Sequence, residues 1–186
     1  MTIIKTPNDF FQDANNYNIN GGTYLMSYPH FINYFNNVRT ITFHELTIGI
    51  NFTYGWMPTI FDYRSDQFTV VLAILNRLKN GIIPNDNELI NLRNHFNNSL
   101  VGSSKLMHFI NPDIMPIWDS RVYKYLTNES AHGYRVDNVG NFRQYVEFCN
   151  TLILDQRFLV AKLNIENIVG YTMSSMRITD LVMYSS

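Results

Sequence analysis

Apolar residues in this chain recur at three- and four-residue spacing, and no segment alternates apolar with polar residues strongly enough to demand a sheet. That pattern confines the chain to all-α architectures, in which helices bury an apolar stripe against one another. From Asp66 to Asn80 the run Phe68, Val70, Val71, Ala73, Ile74, Leu75 and Leu78 is apolar on most sides. It predicts a buried central helix, capped by Ser65 or Asp66 and ended at Gly81. Asn85-Asp86-Asn87-Glu88 has the makings of a capping box for the next helix, with Leu89, Leu92, His95 and Phe96 on one face. Phe142 to Ile153 reads as a strongly amphipathic helix and Asp155 to Leu163 as another. The last helix, about Met173 to Tyr184, turns Met176, Ile178, Leu181 and Val182 inward and leaves Arg177 and Asp180 near its polar edge.

The remaining segments are less regular. Residues 1 to 28 read as a mostly irregular lead with a turn at Gly21-Gly22, and Pro29 suits the first turn of a helix reaching Val38. Thr40 to Tyr54 reads as helix, broken by Gly55-Trp56-Met57-Pro58, a loop that either presents Trp56 to a ligand or plugs the core with it. Thr127 to Gly140 is polar and reads as a surface loop long enough to touch a substrate.

Composition narrows the classes further. The chain has 186 residues, 46% of them hydrophobic, which suits one domain covering the whole sequence. The formal net charge of −1 withholds the overall basic field of many nucleic-acid binders, so DNA affinity must rest on local cations. The single cysteine, Cys149, cannot form an internal disulfide, which points to a reducing compartment. No apolar run reaches the ~18 residues of a membrane span, and no secretory leader is apparent. The expectation is a cytoplasmic monomer with no membrane partner. The five histidines lack H-x-x-x-H or H-E-x-x-H spacing, and neither G-x-x-x-x-G-K nor G-x-G-x-x-G occurs, so no metal and no cofactor is expected.

One stretch stands apart, Leu100 to Leu126, LVGSSKLMHFINPDIMPIWDSRVYKYL. It opens with a polar turn, Val101-Gly102-Ser103-Ser104, continues into an apolar helix from Leu106 to Ile110, and crosses a proline-bounded loop to Asp119. Lys105 falls in the first turn of its helix, where the positive end of the macrodipole is expected to lower an ammonium pKa. Asp119 precedes Ser120-Arg121-Val122-Tyr123 and is placed to cap the following helix.

The order of glycine turn, lysine, apolar helix, proline loop, aspartate and helix resembles the helix-hairpin-helix DNA glycosylase superfamily. Its members carry an L-P-G-V-G-x-K hairpin followed by a P-x-x-D segment, matched here by Leu100–Lys105, which keeps one glycine, and by Pro116-Ile117-Trp118-Asp119. The resemblance implies a two-lobed helical bundle with its active-site stretch at residues 98–126. It implies Lys105 as the amine nucleophile of bifunctional members and Asp119 as the catalytic carboxylate. Gly102, Ser103 and Ser104 would grip a DNA phosphate, with Arg121 and Lys124 as further phosphate contacts. An extruded base needs aromatic faces and a few polar groups. Trp118, His108, Phe109, Tyr54 and Trp56 are the local candidates. The activity so implied is excision of a damaged or modified base from duplex DNA, with or without strand cleavage at the abasic site. The rival expectation is a non-catalytic module that uses the same fold to hold DNA or a nucleotide-like ligand.

Overall fold

A computed structural model describes residues 1–18, 22–57 and 59–186 of the chain. Among these residues the regular structure is helical: α1 Pro7–Asn15, α2 Gly22–Asn36, α3 Phe43–Trp56, α4 Phe68–Lys79, α5 Asp86–His95, α6 Leu100–Ile110, α7 Ser120–Thr127, α8 Gly133–Val136, α9 Val139–Ile153, α10 Phe158–Val169 and α11 Ser175–Ser185. The all-α expectation holds. None of these helices is long and apolar enough to cross a membrane.

Local chemistry explains most boundaries. Thr6 with Asp9, Thr42 with Glu45 and Asn85 with Glu88 form reciprocal capping boxes at the starts of α1, α3 and α5. Gly81 and Gly170 take left-handed backbone just past α4 and α10, where a side chain would be strained. The sequence reading fails where tertiary burial overrides local signals. The lead is not irregular, because α1 buries Phe10, Phe11 and Ala14 in the common core. Pro29 lies inside α2 instead of opening it, and the burial of Leu25, Tyr28 and Phe35 offsets its missing N–H. α4 begins behind Gln67, which makes no side-chain cap, so neither Ser65 nor Asp66 plays that part. α3 runs through Gly55 to Trp56, while Pro58 and Gly21 lie outside the described residues. Part of the 127–140 loop is the short helix α8.

Two helices organise the packing. α6 touches α2, α3, α4 and α5, and α11 touches α1, α7, α9 and α10. α6 is consequently buried nearly all round, its serines and His108 included, as a helix enclosed by four others must be. The turn between α5 and α6 lies one step earlier than the sequence suggests. Asn97 and Asn98 both adopt positive φ, Ser99 caps α6 by accepting from the Gly102 amide, and Val101–Ser104 are already helical.

Candidate active site

Lys105 projects from α6 and Asp119 caps α7, and their side chains meet. Lys105 Nζ lies 3.1 Å from Asp119 Oδ2, with the two side chains 11% and 16% exposed. The other carboxylate oxygen of Asp119 accepts from the Arg121 amide at 3.0 Å, which fixes its rotamer as a cap requires. The neighbouring residues set this geometry. Ser104 Oγ accepts from the Trp118 amide at 3.0 Å and donates to the Val101 carbonyl, so α6 is tied to the residue before Asp119. Trp118 is held in turn by its indole N–H, which donates to the Val136 carbonyl at 2.7 Å, and by its ring against Tyr145. Tyr145 Oη donates to the Ile117 carbonyl, so the Pro116–Asp119 segment is fixed on both sides.

Both groups line a cavity of about 300 Å³ where the α6 and α11 clusters meet, at the small end of the ~300–1,000 Å³ typical of small-molecule sites. Trp56 and Met57 at the end of α3, Tyr24 on α2, and Tyr184 on α11 supply apolar and aromatic walls. Burial lowers the Lys105 ammonium pKa below its ordinary value, and Asp119 opposes that shift. The sequence reading anticipated the direction but not the cause. Lys105 lies beyond the first turn of α6, and desolvation, not the helix terminus, disfavours its charge.

Four expected base-pocket residues belong to the core. Trp118 is fully buried in the contacts just described. Tyr54 is buried with its hydroxyl on the Phe96 carbonyl at 3.0 Å. His108 is fully buried, and its Nδ1 faces the Met115 carbonyl at 2.5 Å. A carbonyl only accepts, so Nδ1 carries the proton and Nε2 accepts from Tyr28 Oη at 2.8 Å. Burial pushes the His108 pKa down to about 3 and keeps the ring neutral. Phe109 packs against Phe31, Phe52 and Trp56 within the same core. Of the aromatic candidates, only Trp56 lines the cavity.

The expected phosphate grip also needs correction. Ser103 and Ser104 are fully buried and bond inward, and Gly102 is buried under Tyr54. A Cβ on Gly102 would stand 2.4 Å from Tyr54 Oη, so packing requires the glycine there. Arg121 and Lys124 are exposed on α7, with the Arg121 guanidinium over the Tyr184 ring at 4.6 Å. With Lys5 they line a surface depression that shares Tyr184 and Ser185 with the cavity.

The sequence reading missed a second pair on the same cavity wall. Arg177 and Asp180 are 5% and 1% exposed, not at a polar edge, and they are ion-paired to each other. The Arg177 guanidinium also faces the rings of Tyr28 at 4.9 Å and Trp56 at 5.7 Å. Burial raises the Asp180 carboxyl to about 7 despite Arg177. No local signal marked the pair, because α11 carries Arg177, Thr179 and Asp180 among its apolar residues and their burial is set by the packing of α1, α7, α9 and α10 around it. Cys149 is no rival nucleophile, because burial pushes its thiol up to about 12. Comparison with family models, with curated proteins and with solved structures finds no match for this chain.

Proposed function

We propose that this chain is a DNA N-glycosylase of the helix-hairpin-helix type, removing a damaged or modified base by attack at the deoxyribose anomeric carbon. The observation that carries the reading is the 3.1 Å approach of the Lys105 amine to the Asp119 carboxylate on the wall of a sheltered cavity. Glycosidic cleavage develops positive charge on the sugar, and a carboxylate fixed by its capping bond is preorganised to stabilise it. A lysine whose ammonium is disfavoured by burial offers more neutral amine for attack at the same carbon. Displacement of the base by that amine leaves a Schiff base, and β-elimination then nicks the strand. α5, the Asn97-Asn98 turn and α6 would serve as the hairpin, and the two packing clusters as the two lobes. Duplex DNA is the proposed partner of the monomeric chain, with Arg121 and Lys124 beside the cavity meeting backbone phosphates.

Borohydride trapping tests this directly. A duplex carrying an abasic site, and a panel of duplexes with modified bases, should give a covalent protein–DNA adduct that Lys105→Ala abolishes. Asp119→Asn should reduce base release, read as alkali-labile strand breaks, by about 10²-fold or more, the scale of losing one preorganised electrostatic group. Absence of both adduct and breaks across the panel would refute the enzyme.

The rival reading, a binding module on the same fold, is favoured by one observation. The Gly102–Ser104 segment that should grip a phosphate is buried and bonded inward. In that case DNA or a nucleotide-like ligand binds with salt-dependent affinity while both variants and wild type are equally inert.

A further inference from the structure

The cavity carries polar groups that the proposed chemistry does not use. Arg177 Nη1 donates to Asp180 Oδ2, and this is the one contact that joins the pair. Arg177 Nε, Asp180 Oδ1 and the Trp56 indole Nε1 are buried and have no hydrogen-bond partner among the described residues. A buried donor or acceptor left unpaired is costly, and a half-satisfied buried ion pair is less stable than apolar side chains of similar volume. Three such atoms sit on residues that line one cavity, where the polar groups of a ligand would complete them.

The lining also restricts that ligand. Lys105 and Arg177 are already paired with Asp119 and Asp180, so a phosphate or carboxylate would have to compete with both carboxyls for those cations in a sheltered space. Aromatic faces at Trp56 and Tyr24 suit a flat ring. Arg177 Nε and Trp56 Nε1 are N–H donors and Asp180 Oδ1 an acceptor on the same lining, a set that complements an edge holding one N–H next to one acceptor.

We propose that Arg177 and Asp180 form the recognition edge of this cavity for a neutral, planar heterocycle whose rim places an N–H beside a carbonyl or ring-nitrogen acceptor. Asp180 accepts from the N–H, and the Arg177 guanidinium donates to the acceptor. The inference rests on the reading of the cavity as the place that receives an extruded base, and it names the chemistry by which the base is held.

Two small probes test it on the intact chain by titration calorimetry. 1-Methyluracil keeps an N–H between two carbonyls, and 1,3-dimethyluracil has the same ring and carbonyls with that N–H blocked. The first should bind at least about tenfold more tightly, the discrimination expected when a buried charged acceptor is left unpaired. Arg177→Lys keeps the charge but loses the fork, and should weaken 1-methyluracil by about tenfold while a thermal melt verifies folding. Equal affinity for the two probes, or no binding of 1-methyluracil at about 10 mM, would overturn the proposal. Trapping on an abasic duplex involves no base, so it judges the excision chemistry separately. Probe discrimination without trapping leaves the recognition edge standing and removes the lyase, and trapping without discrimination does the reverse.

Discussion

Two ion pairs line one cavity, and they differ in almost everything except their chemistry. Lys105 and Asp119 come from different helices, retain some exposure, and Asp119 has a second task as the cap of α7. Arg177 and Asp180 come from one turn of α11, are buried, and retain unpaired atoms. In the first pair the Asp119 carboxylate is held by its own capping bond as well as by Lys105. The second depends wholly on its surroundings, because desolvation of two charges is recovered only while each has the other. Burial, not residue type, separates the two pairs.

The contrast can be broken by substitution, and the largest effect should come from the buried pair. Arg177→Met strands a buried carboxyl and should cost about 3–5 kcal/mol in urea denaturation, whereas joint replacement with Asp180→Leu should restore most of that loss. A single variant no less stable than wild type would show that the pair is not desolvated. On the other pair, Ser104→Ala removes the tie between α6 and the Trp118 amide, and should cost about 1–3 kcal/mol while slowing trapping by loosening Lys105 against Asp119. Lys105→Met should cost only about 1 kcal/mol, since Asp119 keeps its capping bond.

Two pH effects sharpen the same distinction. The folded protein holds the Asp180 carboxyl at about 7, above its ordinary 3.8, so it retains this proton more tightly than the unfolded chain does. The stability Asp180 contributes is therefore fully present below about pH 4 and is lost as the pH rises through about 7. Subtracting the urea midpoints of Asp180→Asn from those of wild type should give a difference that declines across that window, and a flat difference would refute it. The smallest effect concerns Lys105. Asp119 raises the amine's pKa against the lowering by burial, so Asp119→Asn should move the alkaline rise of Lys105 trapping to lower pH. A shift to higher pH would mean that the two groups do not sense each other.

Several stretches that carried their own signal were legible. The capping box at Asn85 and the cap at Asp119 are local hydrogen bonds, and α9 shows its buried face in its spacing, whereas the equally local boxes at Thr6 and Thr42 were not read from the sequence. The segment holding Lys105 and Asp119 was likewise visible, because the polar-to-apolar change and the proline loop lie within one short run. Legibility ended where a residue's role depended on distant neighbours. Trp118 and His108 look like ligand-facing groups until Val136, Met115 and Tyr28 are seen to satisfy their nitrogens.

By itself, then, the chain's order of residues determined the all-helical class, the starts of α5 and α7, and the closeness in sequence of the amine and the acid. These follow from backbone hydrogen bonding and side-chain spacing within a few residues. Tertiary structure alone decided that Gly102 is a packing glycine, that Arg177 and Asp180 are buried, and that four charges share one cavity with Trp56. The reason is that burial and desolvation belong to the space between helices, and that space exists only after α6 and α11 have gathered their neighbours.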